Sequence, residues 1–122
     1  MGAALHHAQV FYPPGEEARA RQFYAQALGL CEIDRPPTLR DRAGIWFAAG
    51  TGQVHLSADR DLGLHPRRHF ALRVDDLDAA IARLRDAGAR FEDADPIPGW
   101  RRTYVFDPFG NKIELDEIPA RR

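Results

Sequence analysis

A single cysteine, Cys31, stands in the 122 residues, which rules out an intrachain disulfide and leaves no cysteine cluster for structural zinc. The chain therefore suits a reducing compartment, and a cytoplasmic location is expected. Long apolar runs are also missing. Nothing approaches the ~18 consecutive apolar residues of a membrane span, and Met1 to Leu5 carries no basic segment leading into an apolar stretch, so neither an anchor nor a secretory signal is expected. Charge of one sign is equally scarce: 17 basic against 18 acidic residues give a formal charge of -1. Such a balance offers no overall field for a phosphate backbone or an anionic membrane, so neither is expected as a partner. What is present, 44% hydrophobic and 29% charged residues, is the composition of a globular chain with a core to bury. Its length allows one ordinary domain, or two very small modules sharing a core.

Strand and helix signals alternate along the chain. Leu5 to Phe11 reads as a first strand, closed by Tyr12-Pro13-Pro14-Gly15. Glu16 and Glu17 suit a helix N-terminus, and Ala20, Phe23, Tyr24, Ala27 and Leu28 recur at helical spacing before Gly29. After a loop at Pro36-Pro37, Gly44 to Ala48 and Gln53 to Ser57 read as strands joined at Gly50-Thr51-Gly52. The polar, aperiodic stretch 58–68 is a natural connection between halves. The pattern then restarts with a strand at His69 to Val74 and a helix opened by Asp75, Asp76 and Asp78. Leu77, Ile81, Leu84 and Arg85 carry that helix to Gly88. A short strand at Arg90 to Asp93 and a loop at Pro96 to Gly99 follow; Arg102 to Phe106 then pairs with Lys112 to Asp116 across a type I turn at Asp107-Pro108-Phe109-Gly110.

The two halves repeat one another. His7 to His55 is a step of 48 residues and His69 to Glu114 one of 45, with the difference lying in the longer turn around Pro13 and Pro14. His7 and His69 fall on the first strand of each half, His55 and Glu114 on the last. Alternation groups His7 with Gln9, His55 with Gln53 and Ser57, His69 with Arg73, and Glu114 with Lys112 and Asp116, faces polar enough to line a cavity. Two neutral imidazoles and one carboxylate, with positions left for water or substrate, suit a divalent Fe, Mn, Zn or Ni ion. His7, His69 and Glu114 are the expected ligands, while His55 is either a further ligand or polar lining. His6, one residue off the His7 face, reads as structural, and His65 as exposed.

His6-His7-Ala8-Gln9-Val10, with the helix that runs through Phe23-Tyr24 to Leu28-Gly29-Leu30, resembles the first module of the glyoxalase, bleomycin-resistance and extradiol-dioxygenase proteins, the vicinal oxygen chelate superfamily. His69-Phe70-Ala71-Leu72-Arg73-Val74-Asp75-Asp76-Leu77 resembles the opening of their second module. Asp107-Pro108-Phe109-Gly110-Asn111-Lys112-Ile113-Glu114 resembles their closing hairpin, the more specific motif. The resemblance spans about Leu5 to Ile118. It implies an α+β fold of two βαβββ modules forming an incomplete barrel, here about 5–57 and 69–118, frequent homodimers, and a divalent metal at the positions of His7, His69 and Glu114. Where His55 falls, the glyoxalase I pattern carries a fourth ligand, a Glu, which argues against a straightforward glyoxalase I. Dioxygenases and fosfomycin-type thiol transferases, with three ligands, remain compatible.

The expected activity is thus metal-dependent lyase, isomerase or dioxygenase chemistry on a small oxygen-rich or carbonyl-containing molecule, with His55 or a Gln9-ordered water as the general base that isomerase chemistry needs. Arg73 and Arg102 could pair with an anionic substrate group, and Trp100 and Tyr104 could form an aromatic wall or lid. Trp46 reads as core. The competing expectation is a drug- or metabolite-sequestering protein of the bleomycin-resistance kind, which binds without turnover.

Overall fold

The computed structural model describes residues 2–117. The expected end of the second half at Ile118 lies outside the described residues. Two compact units divide the chain, Met1–Gly63 and Leu64–Arg122. The first contains β1 (His7–Tyr12), α1 (Glu17–Arg21), β2 (Cys31–Ile33), β3 (Gly44–Ala49) and β4 (Gly52–Ala58). The second contains β5 (His69–Arg73), α2 (Leu77–Asp86), β6 (Arg90–Glu92), β7 (Arg101–Phe106) and β8 (Lys112–Glu117). Each is a βαβββ module, as the repeat in the sequence requires. The sheets run β1-β4-β3-β2 and β5-β8-β7-β6, each mixed and neither closed on itself, because β1 and β5 join the last strand of their module in parallel.

Apolar alternation decides which face of each sheet is covered. In the first unit Tyr12, Ile45, Phe47, Val54 and Leu56 are buried together with Ala20, Phe23, Tyr24, Ala27 and Leu28 of the helical segment, and the Tyr24 ring stacks on Phe47 at 5.6 Å. In the second, Leu77, Ala80 and Leu84 of α2 are buried with Val105, Ile113 and Leu115. Each Val, Leu, Ile or Phe among them is worth about 1.5 to 3 kcal/mol on burial. The helices therefore cover the faces opposite to His7, His55, His69 and Glu114, which leaves those residues on the other side of their sheets.

Three local features depart from the sequence expectation. Tyr12 continues β1, pairing with Ala58, because the proline block begins only at Pro13 and the tyrosine ring is fully buried. The first helix is α-helical only through Arg21; over Gln22–Ala27 it is π-helical, with the Leu28 amide bonded to the Phe23 carbonyl. That wider turn brings Phe23, Tyr24, Ala27 and Leu28 all onto the buried side. β2 has no counterpart among the strands read from the first half, since three residues are too few to display a period. The second helix follows expectation: Asp76 caps it by accepting the Ala79 amide at 3.0 Å. The closing hairpin turn also forms, with buried Asp107 accepting the amides of Phe109 and Asn111 at 2.9 and 2.8 Å.

Candidate functional site

In the second unit, parallel β5 and antiparallel β7 flank β8 and bring four side chains together. Glu114 lies opposite Ala71 and Tyr104 in the pairing, and His69 opposite Lys112. Glu114 is 7% exposed, and its Oε1 lies 3.4 Å from Nε2 of His69 and 3.1 Å from Nη1 of Arg102. Arg102 Nη1 also donates to the Tyr104 hydroxyl at 3.2 Å, and Nη2 donates to the Asp95 carbonyl at 2.7 Å. The His69 ring meets Tyr104 edge-on at 5.1 Å. Lys112 sits 4.1 Å from the centre of that same tyrosine ring and is held by Glu92 and by the Pro66 carbonyl.

The tautomer of His69 follows from its neighbours. Nδ1 lies 2.8 Å from the Arg67 carbonyl oxygen, which can only accept, so Nδ1 carries the hydrogen. In the neutral ring Nε2 is then a bare lone pair, facing a carboxylate oxygen at 3.4 Å. Two acceptors in that position repel unless the ring takes up a second proton or a metal ion lies between them. Donor-to-metal distances near ~2.0–2.2 Å place neighbouring ligands of one ion at about this separation, so the pair fits a divalent metal. Among the described residues of either unit, no group of three or more His, Cys, Asp or Glu side chains is gathered to hold an ion.

The first unit presents a different cluster. Gln9 of β1 and Trp46 of β3 both face His55 of β4 in the register. The His55 ring lies between Trp46, parallel at 3.8 Å, and His7, stacked at 4.0 Å, which leaves it only 4% exposed. Burial, with lesser repulsion from His7 and His6, pushes the His55 imidazole down from 6.5 to about 4, so it stays neutral at physiological pH. Its Nε2 lies 2.7 Å from Gln53 Oε1, so Nε2 carries the hydrogen and Nδ1 keeps the lone pair. Gln9 donates to Ser57 on the same face.

His69, Glu114, Arg102 and Tyr104 thus come together, as do His7 and His55, while His7 belongs to the other unit from His69 and Glu114. Arg73 lies on the Glu114 side of its sheet but is committed to Asp116 at 2.9 Å, with the Trp100 ring 5.8 Å away. Trp100 is half exposed beside β7, bridged to Ile97. Two expectations are corrected. Trp46 is no core residue, since strand alternation puts it on the His55 face, where it is half-buried. His6 joins the imidazole cluster, because it precedes β1 and is not bound by that strand's alternation. Lys112 and the Arg67 carbonyl were not expected as parts of the site; only the face shared by Lys112 and Glu114 signalled the former.

Among the described residues no helix is long and apolar enough to cross a membrane. No curated protein matches the chain. Among solved structures, a glyoxalase family protein from Bacillus anthracis is 34% identical over 98% of both chains, with a TM-score of 0.89. The fosfomycin resistance protein FosX from Listeria monocytogenes shares the fold at 15% identity, with 98% of this chain and 97% of that one covered and a TM-score of 0.77. Lactoylglutathione lyase from Agrobacterium tumefaciens does so at 21% identity, 95% and 94% coverage and a TM-score of 0.69. The family model for the Glyoxalase/Bleomycin resistance protein/Dioxygenase superfamily matches residues 4–115, and the chain belongs to that superfamily.

Proposed function

We propose that the protein is a cytoplasmic, divalent-metal-dependent enzyme acting on a small oxygen-rich or carbonyl-containing substrate, with His7, His69 and Glu114 as metal ligands. The observation that carries this reading is the lone pair of His69 aimed at a carboxylate oxygen 3.4 Å away, while its other nitrogen is tied to a backbone carbonyl. An outer hydrogen bond of this kind is the usual means of orienting a ligating imidazole. Bound there, a divalent ion supplies Lewis acidity to stabilise negative charge developing on substrate oxygens.

The chain's own groups take the remaining roles. Arg102 donates to the Tyr104 hydroxyl, so the hydroxyl's own hydrogen is free to donate to a substrate oxygen. Arg102 and Arg73 supply positive charge for an anionic substrate group, and Trp100 an aromatic surface beside it. His55 stays neutral throughout neutral pH and keeps an Nδ1 lone pair, as a proton acceptor must, and Gln9, opposite it in the register and bonded to Ser57, is assigned the ordering of solvent beside it. A homodimer is also proposed. The outer edges of β1 and β5 are unpaired within their sheets, and a second copy is the economical way to cover such edges.

The test is turnover by the metal-replete protein, with Fe(II), Mn(II), Zn(II) or Ni(II), against hemithioacetals of glutathione, catechols, and epoxides presented with thiols or water. Turnover of one class that chelation abolishes and Tyr104→Phe lowers about 10- to 1000-fold is the expected result. Binding of aromatic or cationic drugs with no turnover under any metal would replace this reading by sequestration.

A further inference from the structure

His6 stands just before β1, where continued alternation would turn its side chain away from His7. Its ring instead meets His7 edge-on at 5.2 Å, with the two Nδ1 atoms 2.9 Å apart, and approaches His55 at 6.4 Å. The backbone there is held, since the Gln53 amide donates to the His6 carbonyl at 3.0 Å and so extends the pairing of β1 with β4. One face of the His7 ring lies against His55. Two imidazole nitrogens at hydrogen-bond distance share one hydrogen between them, one as N–H and the other as lone pair.

The repeat shows which arrangement is useful. His69, at the matching place in the second unit, gives its Nδ1 hydrogen to the Arg67 carbonyl and so keeps Nε2 bare. For His7 the partner at Nδ1 is a side chain, the His6 ring. We infer that His6 is a positioning residue: its Nδ1 accepts the Nδ1 hydrogen of His7, fixing the tautomer and orientation that leave His7 Nε2 free to bind a metal ion. The inference rests on the reading of His7 as a ligand, and its test separates the two.

In metal-free protein labelled with ¹⁵N at histidine, held well above the ordinary imidazole range, long-range proton–nitrogen correlation shows which nitrogen of His7 carries hydrogen. His7 is expected in the Nδ1–H form in the native chain and in His6→Gln, whose amide oxygen can still accept, and to revert mainly to Nε2–H in His6→Phe. In the same variants, zinc affinity measured against a chromophoric chelator is expected to fall about 10- to 100-fold in His6→Phe and to recover in His6→Gln. An identical His7 tautomer in native protein and His6→Phe overturns the inference, as does zinc binding by both with equal measurable affinity. A native chain that binds no zinc but shows the His6-dependent tautomer upholds the orienting role of His6 and removes the reading of His7 as a ligand.

Discussion

Glu114→Gln and His69→Ala are each expected to lower the affinity for a divalent ion by more than about a hundredfold, since losing even an outer partner of a metal ligand costs about 10- to 100-fold. Removing the Glu114 charge does more than delete one donor. Arg102, 3.1 Å away, loses the carboxylate that offsets it, and its guanidinium then opposes an incoming cation. Removing the His69 ring deletes the one nitrogen whose lone pair faces Glu114 and leaves the Arg67 carbonyl without its donor. Titration calorimetry with zinc or manganese, beside circular dichroism to establish that both variants fold, reads the effect. Affinities within about threefold of the native chain in both variants would count against both residues as ligands, being smaller than the typical cost of losing even an outer partner.

His55 is expected to make the metal-free protein acid-sensitive. In the unfolded chain its imidazole titrates near the ordinary 6.5; in the fold, burial between Trp46 and His7 lowers it to about 4. Between those values the native state binds fewer protons than the unfolded one, so stability falls as the pH drops through that window. The full loss is reached below the folded value, and above 6.5 the ring is neutral in both states and contributes nothing. Allowing for solvent screening at the open side of the stack, the loss amounts to about 1 to 3 kcal/mol. His55→Phe keeps a ring in the stack and removes the proton. Urea unfolding of the native chain and this variant, at neutral pH and again near the folded value, should show the native chain losing more stability by that amount; equal losses would contradict the buried, neutral imidazole.

Much of this was legible in the sequence because it repeats. Matching His7 with His69 and His55 with Glu114 placed all four on comparable strands without any structure, and the alternation around them put them on the face away from the helices. The Asp107 turn and the Asp76 cap were readable because each rests on one side chain bonding backbone a few residues on. What escaped depends on groups outside the periodic segments. The His6 ring reaches His7 from a position where no alternation applies, and the Arg67 carbonyl orients His69 through backbone geometry, which residue identity does not encode. Trp46 was misassigned to the core because an aromatic in an apolar strand reads alike on either face until the partner strand shows His55 beneath it. The π-helical turn was hidden by a spacing that an α-helix would satisfy equally well.

His7, His69 and Glu114 are proposed to hold one divalent ion per chain. Elemental mass spectrometry on untagged protein, loaded with divalent ion and dialysed, addresses this most directly. About one ion per chain is expected in the native protein, lost in Glu114→Gln and in His69→Ala; a native chain that retains none after metal-replete loading rules out His7, His69 and Glu114 as a metal site.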